Sequence, residues 1–244
     1  MPLDPAFTSI APYYDILMEA VDYAQWARYV AELFTQARRE VREVMDLACG
    51  TGNLTGELAS LGYDVSGLDT STQMLAVAKE KLPGLRLYQG DFVEWGIDRE
   101  FDAVVCVYDS LNNLLSDGDM ARAFAEVRDH LRHGGVFVFD LNTIHGLEHY
   151  WDNNTKVTES DGLVAVWRTT FLEPDLSRLH ISVFARQGQA WKRVDEVHTE
   201  RGYTRAQTLR LLKRSGFRSA RAYQHMSTIS PDRKTGRITY LGVK

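Results

Sequence analysis

A regular alternation of short apolar segments with amphipathic ones, between residues 43 and 142, constrains the fold of this chain more than any other feature. Apolar segments of this length predict strands, and amphipathic segments predict helices. The predicted strands are 43–48, 63–69, 85–92, 101–107 and 136–142, and the predicted helices are 53–62, 71–82 and 119–135. Because strands that alternate with helices form βαβ units, the sequence predicts a doubly wound α/β fold with a mostly parallel sheet. Ligands of such folds bind beyond the carboxyl ends of the strands.

The segment before this core carries apolar and aromatic side chains at helical spacing over 8–36, which predicts one or two helices. The segment after it, 143–200, alternates with a period of two, which predicts an antiparallel hairpin of 156–173 with 177–188 and an optional third strand at 190–203.

The end of the chain returns to the α/β pattern. Thr204 and Gly216 mark the start and stop of a helix, and 217–224 with 237–244 resemble a closing pair of strands. We therefore expect an N-terminal helical lid (1–42), an α/β core (43–142 and 201–244) and an antiparallel β insertion (143–200) that covers the ligand-binding edge.

Charge and cysteine content argue against several classes of protein. The net charge of −5 gives no basic footprint for nucleic-acid phosphates, so a nucleic-acid partner is disfavoured. No apolar run is long enough to cross a bilayer, so we expect no membrane partner. The opening MPLDPAF lacks the regions of a secretory signal. We therefore expect a cytoplasmic protein in which Cys49 and Cys106 stay reduced.

A glycine-rich turn follows the first predicted strand, in DLACGTGN at 46–53. Dinucleotide-binding folds use G-x-G-x-x-G there, with a third glycine that lets the helix pack closely on the strand. This chain has Gly50 and Gly52, but Thr55 stands at the third position. The departure disfavours a dehydrogenase.

Acidic residues at three strand positions favour another ligand. Asp46 lies inside the first strand, where a carboxylate suits an ammonium group directly or through water. Asp69 ends the second strand and is placed to accept both hydroxyls of a ribose. Asp91 follows the third strand and is placed for the exocyclic amine of adenine, with Phe92 beside the ring. An ammonium group, a ribose and an adenine without a phosphate describe S-adenosylmethionine.

The series VMDLACGTGNLT, VSGLDTSTQML, YQGDFVEW, FDAVVCVYDSLNNL and LRHGGVFVFDLN resembles class I S-adenosylmethionine-dependent methyltransferases in order and spacing, over residues 44–142. The opening IAPYYDILM and the late antiparallel insertion further resemble a bacterial small-molecule subgroup that includes sugar N-methyltransferase-like proteins. The resemblance implies a Rossmann-like, doubly wound, mostly parallel seven-stranded sheet whose antiparallel last strand is RITYLGVK.

The resemblance also implies which residues bind the cofactor. The cofactor-binding residues are Tyr14, Asp46, Ala48, Cys49, Gly50, Gly52, Asn53, Asp69, Thr70, Met74, Gly90, Asp91, Phe92, Val107 and Tyr108. Methyl transfer is an in-line displacement at an activated sulfonium, so alignment of the two reactants supplies most of the catalysis. A base is needed only when the acceptor must lose a proton.

The candidate catalytic residues are Asp109 and Tyr14. We expect Ser110, Asn112 and Asn113 to face the acceptor, and Tyr13 and His145 to complete its pocket, which the insertion covers. The chain reads YDSL where base-amine methyltransferases have [DN]PP[YF], which favours a small-molecule acceptor with a nitrogen or oxygen nucleophile.

Several alternatives stay open at this point. An RNA or tRNA methyltransferase requires a continuous positive surface from the basic residues Arg205, Arg210, Lys213 and Arg214 to the pocket, and a non-catalytic sensor requires cofactor binding without an acceptor cavity. HGLEH at 145–149 matches H-x-x-E-H, but it begins in a predicted loop, so we expect no metal. The exposed hairpin could equally serve as a homodimer surface.

Overall fold

The computed structural model describes residues 7–160 and 162–244. Within these residues, eleven strands form two sheets. The strands are β1 (Glu43–Leu47), β2 (Asp64–Asp69), β3 (Arg86–Gln89), β4 (Phe101–Cys106), β5 (Leu131–Asn142), β6 (Asn154–Ser160), β7 (Leu163–Leu172), β8 (Leu176–Gln187), β9 (Ala190–Arg201), β10 (Ser219–Gln224) and β11 (Arg237–Val243). The first six residues of the expected lid lie outside the described residues.

The helices connect these strands and precede them. They are α1 (Tyr14–Leu17), α2 (Tyr23–Phe34), α3 (Asn53–Ser60), α4 (Thr72–Lys81), α5 (Asp117–His130), α6 (Ile144–Gly146) and α7 (Arg205–Arg214). A 3-10 turn at Ala11–Tyr13 leads into α1. The hydroxyl side chains at two N-caps accept backbone N–H groups: Ser71 accepts from Met74 in α4, and Thr204 accepts from Gln207 in α7. In the described residues, no helix combines the length and apolar character needed to span a membrane.

The seven-stranded sheet has the order β10-β11-β5-β4-β1-β2-β3. Strands β1 to β5 pair in parallel, whereas β11 lies antiparallel between β5 and β10. This confirms the predicted Rossmann-like fold, including the antiparallel last strand. All residues of β4 are buried, because helices cover both faces of the sheet.

Alternate residues of the central strands pack on opposite faces. Phe137 and Phe139 of β5 join the cluster that includes α5 and α7. Val136 and Val138 join the cluster that includes α2 and α3. The sheet is thus the middle layer of three, and its carboxyl edge is left for a ligand.

The second sheet is an antiparallel meander with the order β6-β7-β8-β9. Its apolar inner face contacts the N-terminal segment through Leu163, Ala165, Leu179, Ile181 and Val183, which pack with Ile10, Leu17 and Met18. The second sheet and the N-terminal segment therefore form one apolar cluster.

Two sequence predictions about these elements were wrong. The helix predicted to run to residue 135 ends at His130, and the next residues already belong to β5. Strand β5 needs glycine there, since a Cβ atom on Gly135 would lie 2.7 Å from the carbonyl oxygen of Asp102. The predicted strand 156–173 is two strands, because the chain reverses near Gly162, which has a φ of 72°.

Candidate active site

The glycine-rich turn after β1 has a left-handed backbone at three positions. Ala48, Gly50 and Gly52 have φ values of 60°, 55° and 79°. This region favours glycine, so Ala48 is held in a strained conformation. A Cβ atom on Gly52 would also lie 2.8 Å from Leu82 Cδ1. The turn therefore needs glycine at Gly52, directly before α3 begins.

The carboxylate of Asp69, at the end of β2, holds this turn in place. It accepts the N–H of Gly50 at 2.9 Å and the N–H of Ser71 at 2.8 Å. Burial raises the pKa of Asp69, although the backbone donors act in the opposite direction. One side chain thus connects the turn after β1 with the start of α4.

Asp46 is buried below the turn, with 2% of its surface exposed. The described residues give it one hydrogen bond, from Thr55 Oγ1 at 2.6 Å. Burial raises the pKa of Asp46 to about 7, with the Thr55 bond opposing and the Asp69 charge adding to the rise. The residue that replaces the third glycine of the dinucleotide pattern is therefore the hydrogen-bond donor to Asp46.

The turn after β4 is also left-handed, with φ values of 63° at Tyr108 and 55° at Asp109. Asp140 on β5 accepts both backbone N–H groups, at 2.7 Å and 3.2 Å. The guanidinium of Arg237 on β11 bonds to Asp140 and lies 4.8 Å from the centre of the Tyr108 ring. These contacts fix a strained turn at the carboxyl edge.

A buried polar cluster joins this turn to the second sheet. Asp109 accepts hydrogen bonds from Arg237 Nη2 at 2.9 Å and from Asn142 Nδ2 at 2.7 Å. Asn142 Nδ2 also lies 3.3 Å from Glu200 Oε2 on β9. Burial raises the pKa of Asp109, although Arg237 opposes the rise.

A cavity of about 640 Å³ opens at this edge. The predicted residues on its walls are Tyr14, Ala48, Gly50, Asp69, Thr70, Met74, Asp91, Phe92, Tyr108, Asp109, Ser110 and Asn113. A smaller cavity beside it is bordered by Tyr14, Asp46, Ala48, Cys49, Gly50, Asn53, Val107, Tyr108 and Ser110 of the predicted set. The fold therefore brings most of the predicted residues to one place.

Five predicted residues border neither of these two cavities as the described residues define them: Tyr13, Gly52, Gly90, Asn112 and His145. Gly90 is required for packing, because its Cβ atom would lie 2.9 Å from the Trp95 carbonyl oxygen. Asn112 donates to the carbonyl oxygens of Asn142 and Arg201. The ring of His145 stacks on that of His149 at 4.0 Å.

The HGLEH segment lies on α6 and a following turn of π-helix at Leu147–Trp151, not in a loop as predicted. Within 7–160 and 162–244, no group of three or more potential ligands could hold a metal ion. The basic residues Arg205, Arg210, Lys213 and Arg214 all lie on α7, and none of them borders either cavity.

Sequence reasoning missed several side chains on the second sheet and β11. Lys156, Trp167, Glu200 and Arg237 all border the larger cavity. On β9, Val197 is 58% exposed, whereas Glu196, His198 and Glu200 on the other face are largely buried. The available sequence signal was the spacing of Glu196, His198 and Glu200, which places three polar side chains on one face of a strand.

The residues at these two cavities fit S-adenosylmethionine better than a dinucleotide. Asp69 presents a carboxylate to the larger cavity, and Asp46 presents a barely hydrogen-bonded carboxyl to the smaller one. Two acidic groups beside the glycine-rich turn would repel a pyrophosphate, but they suit hydroxyl and ammonium groups. The chemistry of the donor set therefore agrees with the sequence prediction.

Comparison with known proteins decides the family. A family model described as a methyltransferase domain matches residues 44–135. The putative methyltransferase YqeM of Bacillus subtilis (strain 168) is 30% identical, over 98% of this chain and 97% of its own length. A crystal structure of a S-adenosylmethionine-dependent methyltransferase from Clostridium acetobutylicum is 33% identical with a TM-score of 0.83, over 97% of this chain and 98% of that chain. The chain belongs to the class I S-adenosylmethionine-dependent methyltransferases.

This methyltransferase is also similar to enzymes that act on amino sugars. The dTDP-3-amino-3,6-dideoxy-alpha-D-glucopyranose N,N-dimethyltransferase of Streptomyces fradiae is 29% identical, over 78% of this chain and 69% of its own length. The similarity extends beyond the matched domain and supports the predicted likeness to sugar N-methyltransferases.

Proposed function

We propose that this methyltransferase acts on a small-molecule acceptor bound between the carboxyl edge of the seven-stranded sheet and the inner face of the second sheet. The observation that carries the proposal is the cavity of about 640 Å³, which side chains from both sheets border. This volume is typical of small-molecule sites. The similarity to an amino-sugar methyltransferase supports the same class of acceptor.

The cofactor would be held by the residues around the two turns. We assign Asp46 and the glycine-rich turn to the amino-acid end, Asp69 to the ribose, and Asp91 with Phe92 to the adenine. When bound, the sulfonium supplies the activated methyl group. Tyr14 borders both cavities, so it is placed to contact cofactor and acceptor alike. Tyr14 and Asp109 stay our candidates for catalytic residues.

The surroundings of the site favour a small molecule over a nucleic acid. Two basic side chains, Lys156 and Arg237, border the larger cavity, and Arg237 is already paired with Asp109 and Asp140. The basic face of α7 does not reach either cavity. We also propose a cytoplasmic location, in agreement with the free, buried thiols of Cys49 and Cys106.

Association into a homodimer stays a prediction. Val157, Trp191 and Val197 on the outer face of the second sheet are each more than half exposed. They could form part of a contact surface.

Transfer from methyl-labelled S-adenosylmethionine tests the proposal. The acceptors are dTDP-amino sugars, free amino sugars, amino acids, hydroxyl analogues of the same compounds, and total RNA as the competing substrate. We expect labelled product and S-adenosylhomocysteine with a small molecule. Label recovered only in RNA would contradict the proposal.

A further inference from the structure

Glu200 is a buried acidic side chain at the larger cavity that is weakly hydrogen-bonded. It lies on the inner face of β9, borders the cavity, and is 6% exposed. The described residues give it one side-chain hydrogen bond, from Asn142 Nδ2 to Oε2 at 3.3 Å. They supply no donor to Oε1, so this oxygen is available to a ligand in the cavity.

The neighbouring carboxylates are already occupied. Asp140 accepts from the amides of Tyr108 and Asp109 and from Arg237. Both oxygens of Asp109 accept hydrogen bonds, from Arg237 and from Asn142. Among the three carboxyls, Glu200 therefore has the oxygen that is available to a molecule in the cavity.

The charges around Glu200 do not balance within the cluster. Asp109 beyond β4 and Asp140 on β5 add negative charge, and Arg237 on β11 is the guanidinium that faces them. Burial raises the pKa of Glu200 well above its usual range; Asp109 and Asp140 add to the rise, and Asn142 and Arg237 oppose it. Other titratable side chains that border the same cavity are Tyr14, Asp69, Asp91, Tyr108, Tyr150 and Lys156. Three carboxyls thus face one guanidinium, and a cationic ligand can supply positive charge to the cluster.

We propose that Glu200 is a catalytic residue that accepts a proton from the ammonium group of the acceptor, and that the acceptor is therefore an aliphatic amine. The inference rests on the proposed function and specifies its substrate class. An amine brings positive charge to this cluster, whereas a hydroxyl group brings none.

The proton and electron balance of the step is complete. The bound ammonium ion favours the ionised form of Glu200. A proton then moves from the acceptor nitrogen to the Glu200 carboxylate at Oε1, which leaves the nitrogen with a free lone pair. That lone pair forms the nitrogen–carbon bond while the carbon–sulfur bond of the methyl donor breaks, and its electron pair stays on sulfur. The product is a methylated ammonium ion, and Glu200 releases its proton to water after the product leaves.

The test compares matched acceptors and matched variants. The acceptors are dTDP-3-amino-3,6-dideoxyglucose, its 3-hydroxyl counterpart, and a panel of amino sugars, amino acids and polyamines. The variants are Glu200→Gln, which keeps the shape of the side chain, Glu200→Asp, which keeps the carboxyl, and Asp195→Asn. Asp195 is a control because it lies on β9 but bonds to Arg193, His180 and Ser182.

We expect label in an amine and not in its hydroxyl counterpart. For Glu200→Gln we expect kcat/KM to fall about 10²- to 10⁴-fold at neutral pH, as for loss of a general base. This activity should recover as the pH approaches the pKa of the free amine, because water then takes the proton. Glu200→Asp should keep part of the neutral-pH activity, Asp195→Asn should match the wild type, and S-adenosylhomocysteine affinity should be unchanged in all three variants.

Three results would overturn the inference. They are label in the hydroxyl compound but not in the amine, no label in any amine of the panel, and a Glu200→Gln variant with the wild-type pH profile. Label in a hydroxyl compound leaves the proposed function in place and removes this inference alone. Label in RNA alone removes both.

Discussion

Two carboxyls at the carboxyl edge of the sheet are held in different ways. Asp69 is bonded to the backbone of the turn and of α4, whereas Asp46 has the Thr55 hydroxyl as its donor. Burial raises the pKa of both groups, and to about 7 for Asp46. We therefore expect Asp69 to fix the position of the cofactor, and Asp46 to make cofactor binding depend on pH.

Substitution of Asp69→Asn should weaken S-adenosylhomocysteine binding roughly 10- to 100-fold, since hydrogen bonds to a charged group contribute about 1.5–3 kcal/mol. Titration calorimetry measures the change. Asp64→Asn is the matched control, because Asp64 begins the same strand and is exposed. Unaltered affinity in Asp69→Asn would remove Asp69 from the site.

Cofactor affinity should fall as the pH drops below about 7 in the wild type. An ammonium group binds ionised Asp46, so protonation of Asp46 competes with binding. The pKa of Asp46 in the protein without ligand is about 7. The dependence should flatten in Asp46→Asn. It should move to higher pH in Thr55→Val, because loss of the hydroxyl donor raises the pKa of Asp46 further. Calorimetry between about pH 5.5 and 7.5 measures this, and an Asp46→Asn variant with the wild-type slope would contradict it.

At the scale of elements, the second sheet holds the N-terminal segment through Glu196 on β9. Its carboxylate accepts the backbone N–H groups of Phe7 at 2.8 Å, Ser9 at 2.6 Å and Ile10 at 3.0 Å. Burial would raise the pKa of Glu196, but His198 and these amides outweigh it and keep the pKa below its usual value. This contact is therefore present at neutral pH and is lost only as the pH falls through that lowered pKa.

Substitution of Glu196→Ala should release the segment from the sheet. Hydrogen exchange of peptides that cover residues 7–18 should become faster, because three backbone amides lose their acceptor. Asp195→Ala on the same strand is the control and should leave this exchange unchanged. Equal protection of the segment in both variants would show that apolar packing alone holds it.

Local signals explain which elements could be predicted. Helix limits such as Thr204 and Gly216 were correct, because caps and stops depend on neighbouring residues. The division of 156–173 into β6 and β7, at the turn near Gly162, was missed. Glu200 was also missed, because β9 turns polar side chains toward the cavity. Such a choice of face depends on tertiary contacts.

At the scale of the whole molecule, the seven-stranded sheet and the four-stranded second sheet both border the larger cavity. The sequence motifs predicted residues that border the cavities at the carboxyl edge, since those residues follow strands of one parallel sheet. The insertion was predicted to cover this edge, but its individual cavity residues, such as Lys156 and Trp167, were not predicted, nor was Arg237 on β11. Which of these side chains reach the cavity depends on how the two sheets pack in the folded structure.

A crystal structure with S-adenosylhomocysteine tests the account most directly. We expect the ribose hydroxyls on the Asp69 carboxylate, the adenine beside Asp91 and Phe92, and the sulfur facing the part of the larger cavity that Glu200 borders. A ligand bound elsewhere, or a carboxyl edge filled by the protein's own side chains, would contradict it.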